Sequence, residues 1–440
     1  MPHIILLGTL DTKRSETLYL HDQLHQAALR VSQPIQTTLI DCGCRPTTDD
    51  AITITQPELI AKYGPPNKRP TKEPWELPRG EAIKFLSDCA TRAVAELLST
   101  TEEIHGIVGT GGSGGTSLIS SVMRDAAPIG LPKLIVSTVA SGNTGPVVGE
   151  CDITLMYSVV DIAGSNRLLR DVLENAAGAI FGMASAYQHR LIQRHHQEDA
   201  SLQGTKKRKT RIGITMFGVT TPCVDQIRAH LEEKHPDAVE IYVFHATGHG
   251  GKAMERLVEE GQLDAILDIT TTEICDLVAG GEMSCEEDRL EKGLRRGIPN
   301  IISVGATDMV NFGPMDTVPP KYKERKLFVH NPSVTLMRTN REESNQIASF
   351  IVDKIKRFAS DPGMVEVWIP QGGVSSISTK GKVFEDGHAD GALFGSLVAG
   401  LDESEVKIVS DTRDVNDPGF AADISDRLME LVEKHAQKAS

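Results

Sequence analysis

Between an apolar run, Ile104 to Val108, and a helical pattern, Ser117-Leu118-Ile119-Ser120-Ser121-Val122-Met123-Arg124, stands Gly109-Thr110-Gly111-Gly112-Ser113-Gly114-Gly115-Thr116. Strand, glycine-rich turn and helix, in that order, is how an α/β protein builds an anion cradle. Glycines let successive N–H groups turn toward one concavity, and the helix N-terminus adds partial positive charge. A tight strand–helix connection without a ligand is the alternative, but five glycines in seven residues exceed what such a turn needs. No Gly-Lys-Ser/Thr follows, so this is not a P-loop. The acidic residue that a dinucleotide fold carries further along is not evident at its spacing. The loop therefore points to a phosphate or carboxylate, and a nicotinamide dehydrogenase is the weaker reading.

The rest of the chain repeats the alternation of apolar runs with amphipathic stretches, the pattern of parallel sheets covered on both faces by helices. At 440 residues the chain exceeds one ordinary core. It reads as α/β, two tandem Rossmann-like doubly wound domains with mainly parallel sheets. The first spans 1–200, a polar linker with Lys206-Lys207-Arg208-Lys209 spans 201–211, and the second spans 212–440. Strands are expected at His3–Gly8, Pro34–Ile40, Leu131–Ser137, Asp152–Tyr157, Arg211–Phe217, Val239–Phe244, Ala265–Ile269, Asn300–Val304, Val365–Pro370 and Val406–Ser410. Arg45 to Arg79, broken by prolines, reads as a surface insertion or flap. Gly305 to Asn331 reads as a long irregular loop.

Aromatics are only 4%, so the cores must be aliphatic. Lys and Arg total 46 against 60 Asp and Glu, a net charge of -14. That argues against a general binder of nucleic acid or anionic membranes, though not against a small anion in a local pocket. Seven scattered cysteines, with Cys42-Gly43-Cys44 lacking zinc-ribbon spacing, imply reduced thiols in a cytoplasmic compartment. No apolar run approaches the ~20 residues of a membrane span, and no leader precedes the first strand.

In such folds ligands sit at the carboxyl ends of strands, and the other small-residue clusters fall there. Asp11, Thr12 and Lys13 follow the first strand, where a carboxylate, a hydroxyl and an ammonium suit a metal, a ribose and a phosphate; helix capping is the competing role for Asp11 and Thr12. Ser141-Gly142-Asn143-Thr144 suits a second phosphate or ribose contact, or a plain turn. Thr247-Gly248-His249-Gly250-Gly251 is the counterpart glycine loop of the second domain. His249 or Glu273 would serve as acid–base if the protein is an enzyme acting on a phosphorylated or carboxylated small molecule. Thr270-Thr271-Thr272-Glu273 offers hydroxyls at a strand end. Asp308, Asn311, His330, Asn331 and Arg338 lie in or beside the long loop, and Arg338 suits a carboxylate or phosphate. No Gly-x-Ser-x-Gly, His-Glu-x-x-His or paired Cys-x-x-Cys occurs.

Gly8-Thr-Leu-Asp-Thr-Lys13, the Gly109–Thr116 loop, Ser141-Gly-Asn-Thr144, Phe244-His-Ala-Thr-Gly-His-Gly-Gly251, Asp268-Ile-Thr-Thr-Thr-Glu273, Gly305-Ala-Thr-Asp-Met-Val-Asn-Phe312 and His330-Asn-Pro-Ser-Val-Thr-Leu-Met-Arg338 together resemble one family. It is the ATP-binding, largely uncharacterised family that includes the amino-terminal half of the tomato mosaic virus resistance protein. The resemblance covers essentially the whole chain. It implies two Rossmann-like domains, a homodimer and nucleotide binding, with protein interaction as the plant relative's role and a separate TIM-barrel protein as a possible partner. Taken with the loops read above, the expected ligand is ATP with Mg²⁺, with phosphates at Gly111, Gly112, Ser113, Gly114, Gly115 and Thr116, helped by Lys13 and Ser141–Thr144, and Asp11 near the metal. From the second domain Thr247–Gly251, Thr271 and Arg338 would close a cleft.

Overall fold

The computed structural model describes residues 1–66, 70–100, 103–202 and 208–439. It comprises two compact units, Met1–Lys206 and Lys207–Ser440. The basic run's Lys206 and Lys207 lie outside the described residues, as does part of the expected linker.

The first unit runs β1 (His3–Gly8), α1 (Leu10–Arg30), β2 (Gln36–Asp41), α2 (Gln56–Tyr63), α3 (Arg79–Ser99), β3 (Gly106–Gly111), α4 (Ser113–Ala126), β4 (Lys133–Ser137), α5 (Gly145–Val148), β5 (Thr154–Tyr157) and α6 (Arg167–Leu202). Its sheet has the order β2-β1-β3-β4-β5 and is parallel throughout. Alternation along β1 divides the core. Ile4 and Leu6 pack with Leu20 and Leu24 of α1 and Leu173 and Ile180 of α6. Ile5 and Leu7 face the other way, toward Phe85 and Leu86 of α3 and Ile119 and Val122 of α4. Both faces are thus buried, which is why β1 reads as a continuous apolar run. At Gly109 the packing tolerates no side chain: a Cβ there would stand 2.7 Å from Ile119 Cδ1 and 2.8 Å from the Leu7 carbonyl oxygen.

The Pro-rich stretch, expected to break down into irregular chain, contains a packed helix. Thr55 and Glu58 form a capping box, with a proline in the first turn, and start α2. Leu59 and Tyr63 then bury themselves in the core beside Phe85. The prolines hide this short helix by breaking the pattern on both sides of it. Residues 67–69 of the stretch lie outside the described residues.

The second unit runs β6 (Thr210–Met216), α7 (Thr221–Lys234), β7 (Val239–His245), α8 (Gly250–Glu259), β8 (Ala265–Thr270), α9 (Thr272–Ala279), α10 (Glu291–Arg296), β9 (Asn300–Gly305), β10 (Met309–Phe312), β11 (Leu327–Asn331), β12 (Val334–Arg338), α11 (Arg341–Phe358), β13 (Val365–Pro370), α12 (Gly387–Leu401), β14 (Lys407–Asp411) and α13 (Pro418–Ala439). A parallel sheet of order β14-β13-β9-β8-β6-β7 carries α7 and α13 on one face and α11 and α12 on the other. Both units are therefore Rossmann-like α/β layers.

The expected loop from Gly305 to Asn331 is corrected. It contains β10 and β11, which flank β12 in an antiparallel sheet. Each strand is only four or five residues long, and Asp and Pro lie in the connections between them, so local pattern is weak; pairing with β12 supplies the order.

Candidate functional site

In a sheet of order 2-1-3-4-5 the chain leaves β1 and β3 toward opposite faces, so a crevice opens between their carboxyl ends. Here the cores place α1 on one face and α4 on the other. A cavity of about 610 Å³ occupies that crevice. Thr9, Asp11, Thr12 and Lys13 line it after β1; Cys42 and Cys44 after β2; Gly112, Ser113, Gly114 and Gly115 after β3; Thr138 and Val139 after β4. Ile83 and Arg79 of α3 and Asp161 complete the polar and apolar walls together with Leu86 and Leu118.

The glycine loop divides by role. Gly111 is structural: a Cβ would meet the Gly115 backbone at 2.8 Å. Gly112 is the N-cap of α4 and has no side chain to cap with. The first N–H groups of the helix, at Ser113, Gly114 and Gly115, therefore have no intrahelical partner, and the dipole of a 14-residue helix adds to them. Thr116, expected on the ligand, is turned inward instead. Its hydroxyl donates to the Gly111 carbonyl at 3.1 Å and pairs with Ser137 Oγ at 2.8 Å.

Arg79 stands over this loop, its Nη2 3.2 Å from where a Cβ on Gly114 would lie. Among the described residues neither Arg79 nor Lys13 makes an ion pair or side-chain hydrogen bond. Lys13 sits at a non-helical kink of α1, φ -128 and ψ 29, so Thr9–Lys13 is a turn before the regular helix. Asp11 is engaged: its Oδ2 accepts the N–H groups of Cys44 at 3.0 Å and Arg45 at 3.2 Å. It ties the loop after β2 to the loop after β1. Ser141, Gly142, Asn143 and Thr144 do not line the cavity; the first three are exposed, and Thr138 and Val139 take their place.

Asp41, which the sequence reading passed over, pins the same two loops. Its Oδ1 accepts from Leu10 N at 3.2 Å and Gly43 N at 2.9 Å. Burial pushes its carboxyl up to about 6, opposed by the N–H groups of Gly43 and Leu10 and reinforced by the charge of Asp11. The folded value lies above the unfolded one, so between about pH 4 and pH 6 the native state holds a proton that the unfolded chain has released. This group's contribution to stability is thus present at acid pH and lost as pH rises through that window. The difference in unfolding free energy, wild type minus Asp41→Asn, measured by urea unfolding from pH 4 to pH 7, should fall with pH. A flat or rising difference would show that Asp41 is not held protonated.

In the second unit the corresponding glycine loop is already filled. Glu273 Oε1 accepts the N–H groups of Gly248 at 2.9 Å and Gly251 at 3.2 Å. Arg289 donates from Nε to Glu273 Oε2 at 3.0 Å and from both terminal nitrogens to Asp268 at 2.7 and 2.8 Å. Asp268 also accepts from the Thr215 hydroxyl at 2.7 Å. Arg289, Asp268 and Glu273 are buried. Burial disfavours the guanidinium charge, but Asp268, Glu273 and Glu255 hold its pKa well above the ordinary value. Burial pushes Glu255 up to about 7 against the pull of Arg289.

The cradle expected to take phosphate from Thr247, Gly248, His249, Gly250 and Gly251 thus binds the protein's own carboxylate. Glu273, expected as an acid–base, is engaged by the N–H groups of Gly248 and Gly251 and by Arg289. His249 is exposed at the N-cap of α8. Thr271 is buried and donates to the Ser303 carbonyl at 3.2 Å. Arg338 is buried too, on β12, bound to the Phe384 carbonyl at 2.7 Å, to Thr339 and to Asp390 at 2.5 Å. Asp308 accepts from Ser375 Oγ at 2.8 Å. No sequence signal marks Arg79 or Arg289: the place of Arg79 over Gly114 and the pairing of Arg289 with Asp268 and Glu273 are set by the fold and not by local spacing.

Among the described residues no cysteine is joined in a disulfide. Among the described residues no helix is long and apolar enough to cross a membrane.

Family models match both units: the uncharacterised protein family UPF0261 N-terminal domain over residues 2–189 and its C-terminal domain over residues 209–432. A UPF0261 protein of Clostridium tetani is 40% identical over 98% of this chain and 99% of its own length. From Solanum lycopersicum, the ToMV resistance protein Tm-1(GCR237) is 38% identical and the ToMV susceptible protein tm-1(GCR26) 37% identical, each over 98% of this chain. This chain spans 56% of the length of each tomato protein. With both models matched in order along nearly the whole chain, the protein belongs to the UPF0261 family.

Proposed function

We propose that this chain is a nucleotide-binding protein that takes ATP, with Mg²⁺, in the cavity of its first unit. The observation that carries the reading is the meeting, at one topological switch point, of an uncapped helix N-terminus, Arg79 and Lys13 around about 610 Å³ of space. Uncapped N–H groups and two unpaired cations form a site for a polyanion. Ser113–Gly115 and Arg79 would hold phosphate oxygens, and Lys13 would reach them from the opposite loop. Ile83, Leu86 and Leu118 offer an apolar wall for the base. Mg²⁺ binds through one or two carboxylates plus substrate phosphates and keeps its waters; Asp161, exposed on the cavity wall, fits that role better than the engaged Asp11. The second unit's glycine loop is left out of the site because Glu273 fills it. Likeness to the tomato proteins does not favour a virus-related reading, because the resistant and susceptible forms match this chain almost equally.

Calorimetric titration with ATP, ADP and AMP, with and without Mg²⁺, tests this. Saturable ATP binding is expected, weakened by roughly 10–100-fold in Arg79→Ala, the loss of one charge-assisted hydrogen-bonding group. No heat with any nucleotide would overturn the reading.

A further inference from the structure

His21 and His25 are four residues apart on α1 and so share one face of the helix. Both reach toward Thr37 of β2. His21 Nε2 lies 3.0 Å and His25 Nε2 3.2 Å from Thr37 Oγ1, and the two ring nitrogens lie 3.3 Å from each other. The rings meet edge to face at 65°. All three side chains are half-buried, so the cluster is held by its surroundings yet open to solvent. His21 Nδ1 is buried and, among the described residues, makes no hydrogen bond; Asp22 Oδ1 lies 3.8 Å away.

We propose that His21 and His25, with the Thr37 hydroxyl, chelate a divalent transition-metal ion of imidazole preference, Zn²⁺, Ni²⁺ or Cu²⁺. With metal–nitrogen bonds of about 2.0–2.1 Å, two nitrogens 3.3 Å apart subtend about 105° at the ion, near the tetrahedral angle, so neither ring need move far. A metal on Nε2 fixes the proton on Nδ1. In His21 that N–H then faces Asp22 Oδ1 at 3.8 Å, beyond direct hydrogen-bond distance, on the side where carboxylate–histidine–metal arrangements place their carboxylate.

Two imidazoles and a neutral hydroxyl, completed by water, form a weaker site than a closed set of four strong ligands. The affinity expected is micromolar.

The test uses the untagged full-length chain titrated with Ni²⁺ by calorimetry, with absorption spectra recorded alongside. One Ni²⁺ per chain is expected, without a thiolate charge-transfer band. His21→Gln and His25→Gln should each weaken it by roughly 100-fold, and Asp22→Asn by roughly 10-fold. Circular dichroism and melting of the variants without metal serve as the folding control, and a Ni²⁺-induced rise in melting temperature should be lost with either histidine. Absence of Ni²⁺ binding, an affinity unchanged in both histidine variants, or a thiolate band at the bound ion would each overturn the proposal.

Discussion

Arg289→Met should destabilise the second unit by about 3–5 kcal/mol, the loss seen when one partner of a buried ion pair is removed. Arg289 has a side chain only 1% exposed and holds Asp268 through two hydrogen bonds and Glu273 through one. Methionine keeps apolar bulk but leaves two buried carboxylates without a cation, and removes the guanidinium from Glu255, whose Oε2 lies 3.9 Å from Arg289 Nη1. Glu273 also anchors the Gly248–Gly251 loop, so the damage spreads to the start of α8. Urea unfolding followed by fluorescence of Trp368, which lies in β13 of the same unit, measures it in a Trp75→Phe background. The triple change that also makes Asp268→Asn and Glu273→Gln should recover part of the loss, because the uncompensated charges are gone. A cost below about 1 kcal/mol for Arg289→Met alone would mean that the cluster does not hold the loop.

The second large effect is on binding. Gly112→Val should abolish ATP binding, a loss of more than about 100-fold, while leaving the fold intact. A Cβ at Gly112 would have Thr138 Oγ1 as its nearest neighbour at 3.8 Å, ordinary contact distance, so the new side chain occupies the cavity and not the core. Its bulk would lie where phosphate oxygens approach the N–H groups of Ser113–Gly115, and two or three charge-assisted hydrogen bonds account for the magnitude. Calorimetry beside a urea midpoint separates the two effects. ATP affinity preserved with an unchanged midpoint would take the phosphates away from this loop. Gly109 is the contrast: its missing side chain serves packing, and substitution there would disturb the sheet whether or not a ligand binds.

Much of the fold was legible because parallel strands buried on both faces are continuous apolar runs, and their helices carry strong periodicity. β1, β3, β8, β9 and β13 are buried at every residue, and each stood out in the chain. The antiparallel strands β10, β11 and β12 did not, because short strands draw their order from partners, and α2 was hidden between prolines. At the site the glycine loop and the Thr9–Lys13 turn were legible, since strand ends followed by small or polar residues have few other uses. Arg79 was not, because its place over Gly114 depends on how α3 packs against α4.

The sequence by itself determined the α/β layering and where backbone N–H groups would gather, because periodicity and glycine spacing are local properties of the chain. Only the tertiary structure decided which of the two glycine loops is open. In the first unit α4 begins at a glycine with no cap and faces space. In the second, Glu273 and Arg289, 22 and 38 residues beyond Gly251, fold back and fill the cradle. The two loops read alike because the chemistry of an anion cradle is local. The anion that satisfies the second one is long-range, and a one-dimensional pattern holds no information about which distant carboxylate will arrive there.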